Sequence, residues 1–226
     1  MRIVSVNVSR PKTVSHGGRT VITGIFKQPV AGRVQLRQLN LEGDEQADLS
    51  VHGGIYQAVY VYPFEHYDSW QHELARNDFT YGQFGENLTV MGMIENEIHI
   101  GDIFRVGGAL VQVTQPRVPC YKLAMKMNLP QFPKLFMASG RTGFYLQVLK
   151  EGEIGAGDSV EKVASDPEQM SVQAVFRLAY FNRDDVESLR KAVRISCLSP
   201  GWKSMFEERL GAVETHSAGN TEPSHS

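Results

Sequence analysis

Hydrophobic residues follow two rhythms along this chain. Through about residue 163 they alternate with polar residues or gather in short runs broken by glycine. RIVSVNV (2–8) sets Ile3, Val4, Val6 and Val8 among polar neighbours, and TVITGIF, RVQLRQLNL and QAVYVY are β-rich in the same way. IFRVGGALVQV places two β-rich runs around Gly107-Gly108, a pair suited to a two-residue hairpin turn. GFYLQVL and SVEKV supply later strands, with IGD (100–102) and AGD (156–158) as turn punctuation. Many short strands between glycine turns predict a closed or nearly closed barrel, which hides its edges.

Helical spacing interrupts this framework at 63–75. There Pro63 suits a first helical position, and Tyr67, Trp70 and Leu74 fall on one side. A second helix is predicted over Tyr121–Met127. After SDPEQMS (165–171) the spacing becomes helical throughout. One stripe carries Val172, Val175, Phe176 and Ala179, and the next carries Val186, Leu189 and Val193. A third helix opens at Ser199-Pro200, carries Trp202, Met205, Phe206 and Leu210, and is expected to stop at Gly211. The fold class is therefore mainly β with α: a barrel domain over 1–164 with a core of its own, a three-helix appendage over 165–211, and a polar, disordered tail over 212–226.

Composition narrows the partners. The chain has 226 residues, 42% of them hydrophobic, and a formal net charge of −2. That is an ordinary soluble globule, without the basic surface a nucleic-acid binder needs. Between Ser171 and Gly211 seven Arg or Lys face five Asp or Glu, too even a balance for groove reading. No window approaches the ~20 apolar residues that span a bilayer, and MRIVSVNVSR is too short and polar for a signal sequence. Two cysteines make no disulfide scaffold, so a cytoplasmic location with both as thiols is expected.

One of those thiols stands out. In QPRVPCYKLA, Pro116 and Pro119 stiffen the approach to Cys120, while Arg117 and Lys122 bracket it. Nearby cations and a helix starting at the cysteine both favour thiolate, which is a nucleophile and a soft metal ligand. Cys197, in RISCLSP, lacks such flanks and reads as a core residue. No CxxC or HExxH accompanies Cys120, so a metal bound there would take its other ligands from a small-molecule cofactor. SVHGG (50–54) and FGENL (84–88) each suit a concave run of backbone N–H groups facing an anion, and Lys27 and Arg117 add charge. Taken singly, those glycines also fit plain turns.

GIFKQPV, LEGDEQADLSVHGG, FGENL, IGD, QPRVPC and GRTGFY, in this order, resemble the MOSC family, the molybdenum cofactor sulfurase C-terminal-like domains. With its helical appendage the chain to about Gly211 is similar to the YiiM-type branch. The resemblance implies a β-barrel with helical decorations that binds a molybdopterin-type molybdenum cofactor, with Cys120 as the metal ligand. It assigns cofactor contacts to Lys27, His52, Gly53, Gly54, Asn87, Gln115, Arg117 and Arg141. His52 is the first candidate proton donor and Tyr145 the second. The family pattern carries a lysine near Gln57 and an arginine where Gln147 stands. Relatives in the family reduce N-hydroxylated bases and amidoximes, a detoxifying reaction, with electrons from a separate flavin- or haem-containing protein. The alternatives are a cofactor carrier without turnover and a persulfide sulfur-transfer module using Cys120. The helices are expected to roof the pocket or to dock the electron donor.

Overall fold

The computed structural model describes residues 1–47 and 53–219. In chain order the strands are β1 (Arg2–Val8), β2 (Lys12–His16), β3 (Arg19–Thr23), β4 (Gln28–Pro29), β5 (Arg33–Leu36), β6 (Val59–Pro63), β7 (Leu88–Met91), β8 (Ile103–Val106), β9 (Ala109–Pro116), β10 (Phe144–Lys150), β11 (Gly152–Gly155) and β12 (Val160–Ala164). Helix α1 (Glu65–Glu73) follows β6, and α2 (Tyr121–Met127) and α3 (Phe132–Ser139) lie between β9 and β10. Helices α4 (Val172–Tyr180), α5 (Val186–Arg194) and α6 (Pro200–Gly219) come after β12.

Eight strands form one sheet in the order β12-β8-β9-β10-β6-β7-β1-β4, antiparallel except where β6 runs beside β7. Backbone bonds then lace β1 to the start of β12. Ile3 N–H donates to the Asp158 carbonyl (2.9 Å), Gly157 N–H to Ile3 (2.8 Å) and Val160 N–H to Met1 (3.0 Å). The sheet thereby rolls into the expected barrel. The β8–β9 hairpin turns on Gly107-Gly108, with Val106 paired to Ala109. The turn punctuation has a common basis: the Asp102 carboxylate accepts from His99 N–H and that of Asp158 from Gly155 N–H, each at 2.9 Å.

Three elements differ from the sequence reading. Pro63 ends β6, paired with Val90, and does not open α1. A strand end next to a parallel neighbour needs no N–H there, which suits proline as well as a helix start does. Helix α6 runs through Gly211, which is not in a left-handed conformation, and continues to Gly219. A glycine within a helix costs only about 1 kcal/mol, so it does not force a stop. Helix α3 was not foreseen, although Pro133 in its first turn and Gly140 (φ 69°) just beyond it are the start and stop signals of a helix.

The C-terminal helices share the barrel's core. Ile3, Val61, Phe104, Val113 and Phe144 belong to one buried cluster with Val175, Leu178, Leu189, Ile195 and Phe206. Backbone bonds sew the junction: Val172 N–H donates to Ile98 (2.8 Å), Gln173 N–H to Glu95 (2.9 Å) and Ile100 N–H to Met170 (2.9 Å). Helices α4 and α5 are capped as their sequences require, the side chains of Ser171 and Asp185 each accepting a backbone N–H at 3.1 Å. The strands, expected to hold a core of their own, thus share their buried cluster with the helices. The stripe on α4 packs in one cluster with these strand residues and with Leu189 and Phe206 of α5 and α6.

A second cluster lies apart from the first. Tyr60 and Tyr62 of β6, Tyr67 and Trp70 of α1, Phe84, and Leu123, Phe132 and Phe136 of α2 and α3 form an aromatic-rich body. Strand alternation separates the two, because Val59 and Val61 turn to one face of β6 and Tyr60 and Tyr62 to the other. The aromatic body supports the segment that carries Cys120.

Candidate functional site

Cys120 is delivered by a strand that leaves its sheet. The β9–β10 register shifts between Leu146↔Val113 and Tyr145↔Gln115, so Thr114 is the extra residue of a bulge. The Thr114 hydroxyl donates to the carbonyl of Tyr56 (2.7 Å) and lies 3.1 Å from that of Tyr145, filling the irregularity. The bulge turns Gln115 to the face that Tyr145 occupies. Arg117 N–H then donates to the Gly143 carbonyl (3.1 Å), the last backbone tie before the chain departs. Cys120, half-buried and extended (φ −106°, ψ 169°), is the residue from which α2 springs, and its carbonyl accepts from Leu123 N–H (3.0 Å).

A cleft opens around this thiol. Arg117, Val118, Lys122 and Tyr145 border it with Cys120 on one side. Ile25, Lys27, Asp44, Glu45, Gly53, Gln57, Tyr60, Gly85 and Asn87 are among the other residues that line it. The Arg117 guanidinium is buried, 4.8 Å from the centre of the Tyr60 ring and 5.4 Å from that of Phe136. Among the described residues its Nη1 has no hydrogen-bond partner, nor has the buried Oε1 of Gln115. Burial pushes the Arg117 pKa down, but Tyr60, Tyr145 and Cys120 outweigh it, and the guanidinium stays charged. Burial also pushes the Tyr145 phenol up, with Arg117 opposing and Cys120 reinforcing, so Tyr145 keeps its proton at neutral pH. These mutual effects put Cys120, Arg117 and Tyr145 within electrostatic reach of one another.

The other predicted residues fall into three groups. Gly53 lines the cleft at φ 95°, and Lys27 and Asn87 line it but are committed to protein partners. Lys27 forms a buried ion pair with Asp44, whose other oxygen accepts from Asn87 Nδ2 (2.9 Å). Asn87 Oδ1 in turn accepts from Tyr60 N–H (3.1 Å). Asp44 was the residue sequence reasoning missed. It lies in LEGDEQADLSVHGG, and only a buried lysine in need of a counter-charge would have pointed to it. Gln57 lines the cleft, whereas Gln147 lies outside it and donates to Gln112 (2.7 Å). Gly54 (φ 80°) precedes a short 3₁₀ turn, Ile55–Gln57, and is exposed. His52 lies outside the described residues.

Arg141 is not brought to the cleft. Its guanidinium pairs with Glu73 of α1 (2.7 Å) and lies 4.1 Å from the Trp70 ring centre. The part of GRTGFY before Phe144 is scaffolding. Tyr62 and Tyr60 hydroxyls donate to the Arg141 and Thr142 carbonyls, at 3.1 and 2.8 Å. Gly143 N–H donates to Glu95 Oε1 (2.7 Å), while Glu95 Oε2 lies 2.6 Å from His66 Nε2. A Cβ on Gly143 would collide with the Val61 carbonyl and the Tyr60 ring, so only glycine lets this loop hold Arg117 from behind.

The FGENL turn also differs from its sequence reading. Its N–H groups do not form a cradle for an anion. Those of Gly82 and Phe84 donate to the Glu86 carboxylate, at 2.9 and 3.0 Å, and that of Gly85 to the Gly82 carbonyl (3.0 Å). Glu86 also accepts from the Tyr67 and Thr89 hydroxyls, which makes this buried carboxylate the organiser of the turn. Among the described residues no three His, Cys, Asp or Glu side chains are grouped to hold a metal ion. No described helix is long and apolar enough to cross a membrane.

One lysine near the site carries a pH signature. Lys126 of α2 lies 5.3 Å from the Phe26 ring centre, and burial brings its pKa down to about 8, opposed by Glu86 and reinforced by Lys12 and Lys27. The unfolded chain releases this proton near 10.5. Its stabilising contribution is therefore full above that pH and lost as pH falls through about 8. At pH 7 the folded protein carries an unfavourable charge, so Lys126→Met should stabilise it by about 2 kcal/mol. Thermal unfolding checks this, and the gain should shrink as pH rises from 8 to 10.

A barrel that carries a proline-stiffened cysteine in a cleft, followed by three helices, matches two family models. The MOSC domain covers residues 48–161, and the YiiM-like, 3-alpha helix domain covers residues 170–211. This chain belongs to the MOSC domain family. It is 40% identical to the uncharacterized protein YflK of Bacillus subtilis, over 94% of this chain and 97% of that one. The crystal structure of YiiM from Geobacillus stearothermophilus superimposes with a TM-score of 0.78 at 37% identity, covering 92% of this chain and 98% of that one. A Gibberella moniliformis protein named Reductase is 34% identical over 78% of this chain, which spans 32% of that protein's length.

Proposed function

We propose that this protein is a molybdenum-cofactor-dependent reductase of N-hydroxylated bases and amidoximes, with Cys120 as its one ligand to the metal. The observation that carries this reading is Cys120 in a cleft beside a buried, charged Arg117 whose Nη1 has no partner among the described residues. A soft donor next to an unsatisfied cation fits a thiolate-bound metal in an anionic organic cofactor. The donor set fits too, since no three His, Cys, Asp or Glu side chains are grouped to hold a metal ion among the described residues and such a cofactor brings its own sulfur ligands. The relative named Reductase supports the redox class.

When bound, the cofactor would supply two electrons and a Lewis acid at the N–OH oxygen. The reaction is R–NHOH + 2e⁻ + 2H⁺ → R–NH₂ + H₂O, with the electrons drawn from a separate donor protein. Arg117 and Lys122 would meet the cofactor's negative charge. Tyr145, protonated and facing the same cleft, would hold a proton at its hydroxyl for the departing oxygen. Val118, Ile25 and Tyr60 would keep water from the reacting atoms. Protein from a cofactor-competent host, given a reduced viologen, should convert an N-hydroxylated purine or benzamidoxime to the parent amine or amidine, read by chromatography. Molybdenum-replete protein that forms no such product would replace this reading with that of a carrier.

A further inference from the structure

Charge is spread unevenly along the chain. Residues 1–41 and 103–150 contain no Asp or Glu, yet they hold fourteen of the 23 Lys and Arg. Both segments contribute to the wall of the Cys120 cleft. Some of their cations are neutralised from elsewhere, Lys27 by Asp44, Arg33 by Asp158, Arg105 by Glu161 and Arg141 by Glu73. Lys12, Arg19, Lys122 and Lys126 form no ion pair among the described residues.

The fold gathers these four on one side of the cleft. Lys122 lines it, and Lys126 follows one turn on along α2. Lys12 acts electrostatically on Lys126 from the β2–β3 hairpin, which is a two-stranded sheet of its own. The hairpin pairs Lys12↔Thr23, Val14↔Val21 and His16↔Arg19, and alternate pairs share a face. Thr23 lines the cleft, so the face with Lys12, His16 and Arg19 carries the cleft wall outward. At about 3.4 Å per residue, Arg19 stands roughly 14 Å along the strand from Thr23. Val118 and Tyr121, on either side of Cys120 in the chain, are 41% and 60% exposed. Exposed apolar side chains bordered by charge have the anatomy of a protein–protein interface.

We infer that this face, built from the β2–β3 hairpin and the start of α2, is the docking surface for an acidic electron-donor protein. The inference rests on the reductase reading above, which requires a separate donor. A row of cations this long exceeds a phosphate group and suits the acidic face of a protein. Opposite charge speeds the encounter and orients the partner, while the contact itself stays small and transient, as electron-transfer interfaces are. Tyr121 and Val118 would then bring the donor up to the chain that carries Cys120. The C-terminal helices carry charges of both signs and supply none of the described residues that line the cleft, so docking falls to the hairpin side.

The test compares wild type with Lys12→Glu/Arg19→Glu in the full chain, using a flavodoxin, a small FMN protein with an acidic surface, as the probe. Both substituted residues are exposed, so the variant should melt as wild type does. At low salt wild type should bind the flavodoxin, and the double variant should bind it on the order of tenfold more weakly. The difference should shrink as salt rises. Lys12→Gln/Arg19→Gln, which removes the charge without reversing it, should fall between the two. In molybdenum-loaded protein, product formation driven by reduced flavodoxin should drop by a similar factor. Turnover driven by a reduced viologen, a small cation, should stay at the wild-type level or rise. Wild type that binds no flavodoxin, or folded variants that bind it as tightly as wild type, would overturn the inference. So would tighter binding of a single-stranded oligonucleotide than of flavodoxin, since the face would then serve nucleic acid. Binding is read apart from product, so wild type that binds flavodoxin and reduces nothing would sink the reductase reading and leave the surface standing.

Discussion

Cys120→Ala should leave a folded protein without bound molybdenum, whereas Cys197→Ala should keep its metal. The two thiols have opposite surroundings. Cys197 is buried with its Sγ 3.6 Å from the Val113 carbonyl, and burial, with Asp166 reinforcing, pushes its pKa up to about 12. It is a neutral thiol at physiological pH and a poor ligand. Replacing it removes a small core group, at roughly 1 kcal/mol. Cys120 opens on the cleft and shares its field with Arg117 and Tyr145. Metal analysis of the two variants from one host, with circular dichroism to establish folding, decides the matter. Metal retained in folded Cys120→Ala would remove Cys120 from the ligand role.

Ending the chain after Ala164 should leave it unfolded. The truncation strips Val172, Val175, Leu178, Leu189, Ile195 and Phe206 from a cluster they share with the barrel. Each such side chain contributes roughly 1.5–3 kcal/mol when buried, and the sum approaches or exceeds the 5–15 kcal/mol that stabilises a typical domain. It also cuts the bonds from Val172 to Ile98 and from Gln173 to Glu95. Urea unfolding of residues 1–164 measures this directly. A cooperative transition close to that of the full chain would mean that the strands stand without the helices.

What could be read from the sequence was local. Helix α2 runs from Tyr121 to Met127 as its spacing predicts, because Pro119 fixes the approach and the apolar positions fix the face. The Gly107-Gly108 hairpin and the Asp102 and Asp158 turns are equally local. Cys120 was legible for the same reason, since its prolines and cations are its neighbours in the chain. Lys27, Arg141 and FGENL misled because their partners are remote. Lys27 is held by Asp44, Arg141 by Glu73 and Trp70, and the FGENL amides by Glu86. A cation or an N–H in a motif advertises what it could bind, not which side chain reaches it first. The shared core was hidden in the same way, because an amphipathic helix reveals that it packs without naming its partner.

The separation of the two hydrophobic clusters by a single sheet has an evolutionary consequence. Phe136, in the body beneath Cys120, and Phe206, in the helices beyond the barrel, belong to different clusters, with Val61 and Tyr62 looking opposite ways between them. Substitutions on the two sides should therefore combine additively, without epistasis. The side bearing the cleft is free to drift toward new ligands while the helical side accumulates compensating stability independently. A lineage of such proteins can thus change what it binds and how firmly it folds as two nearly separate traits.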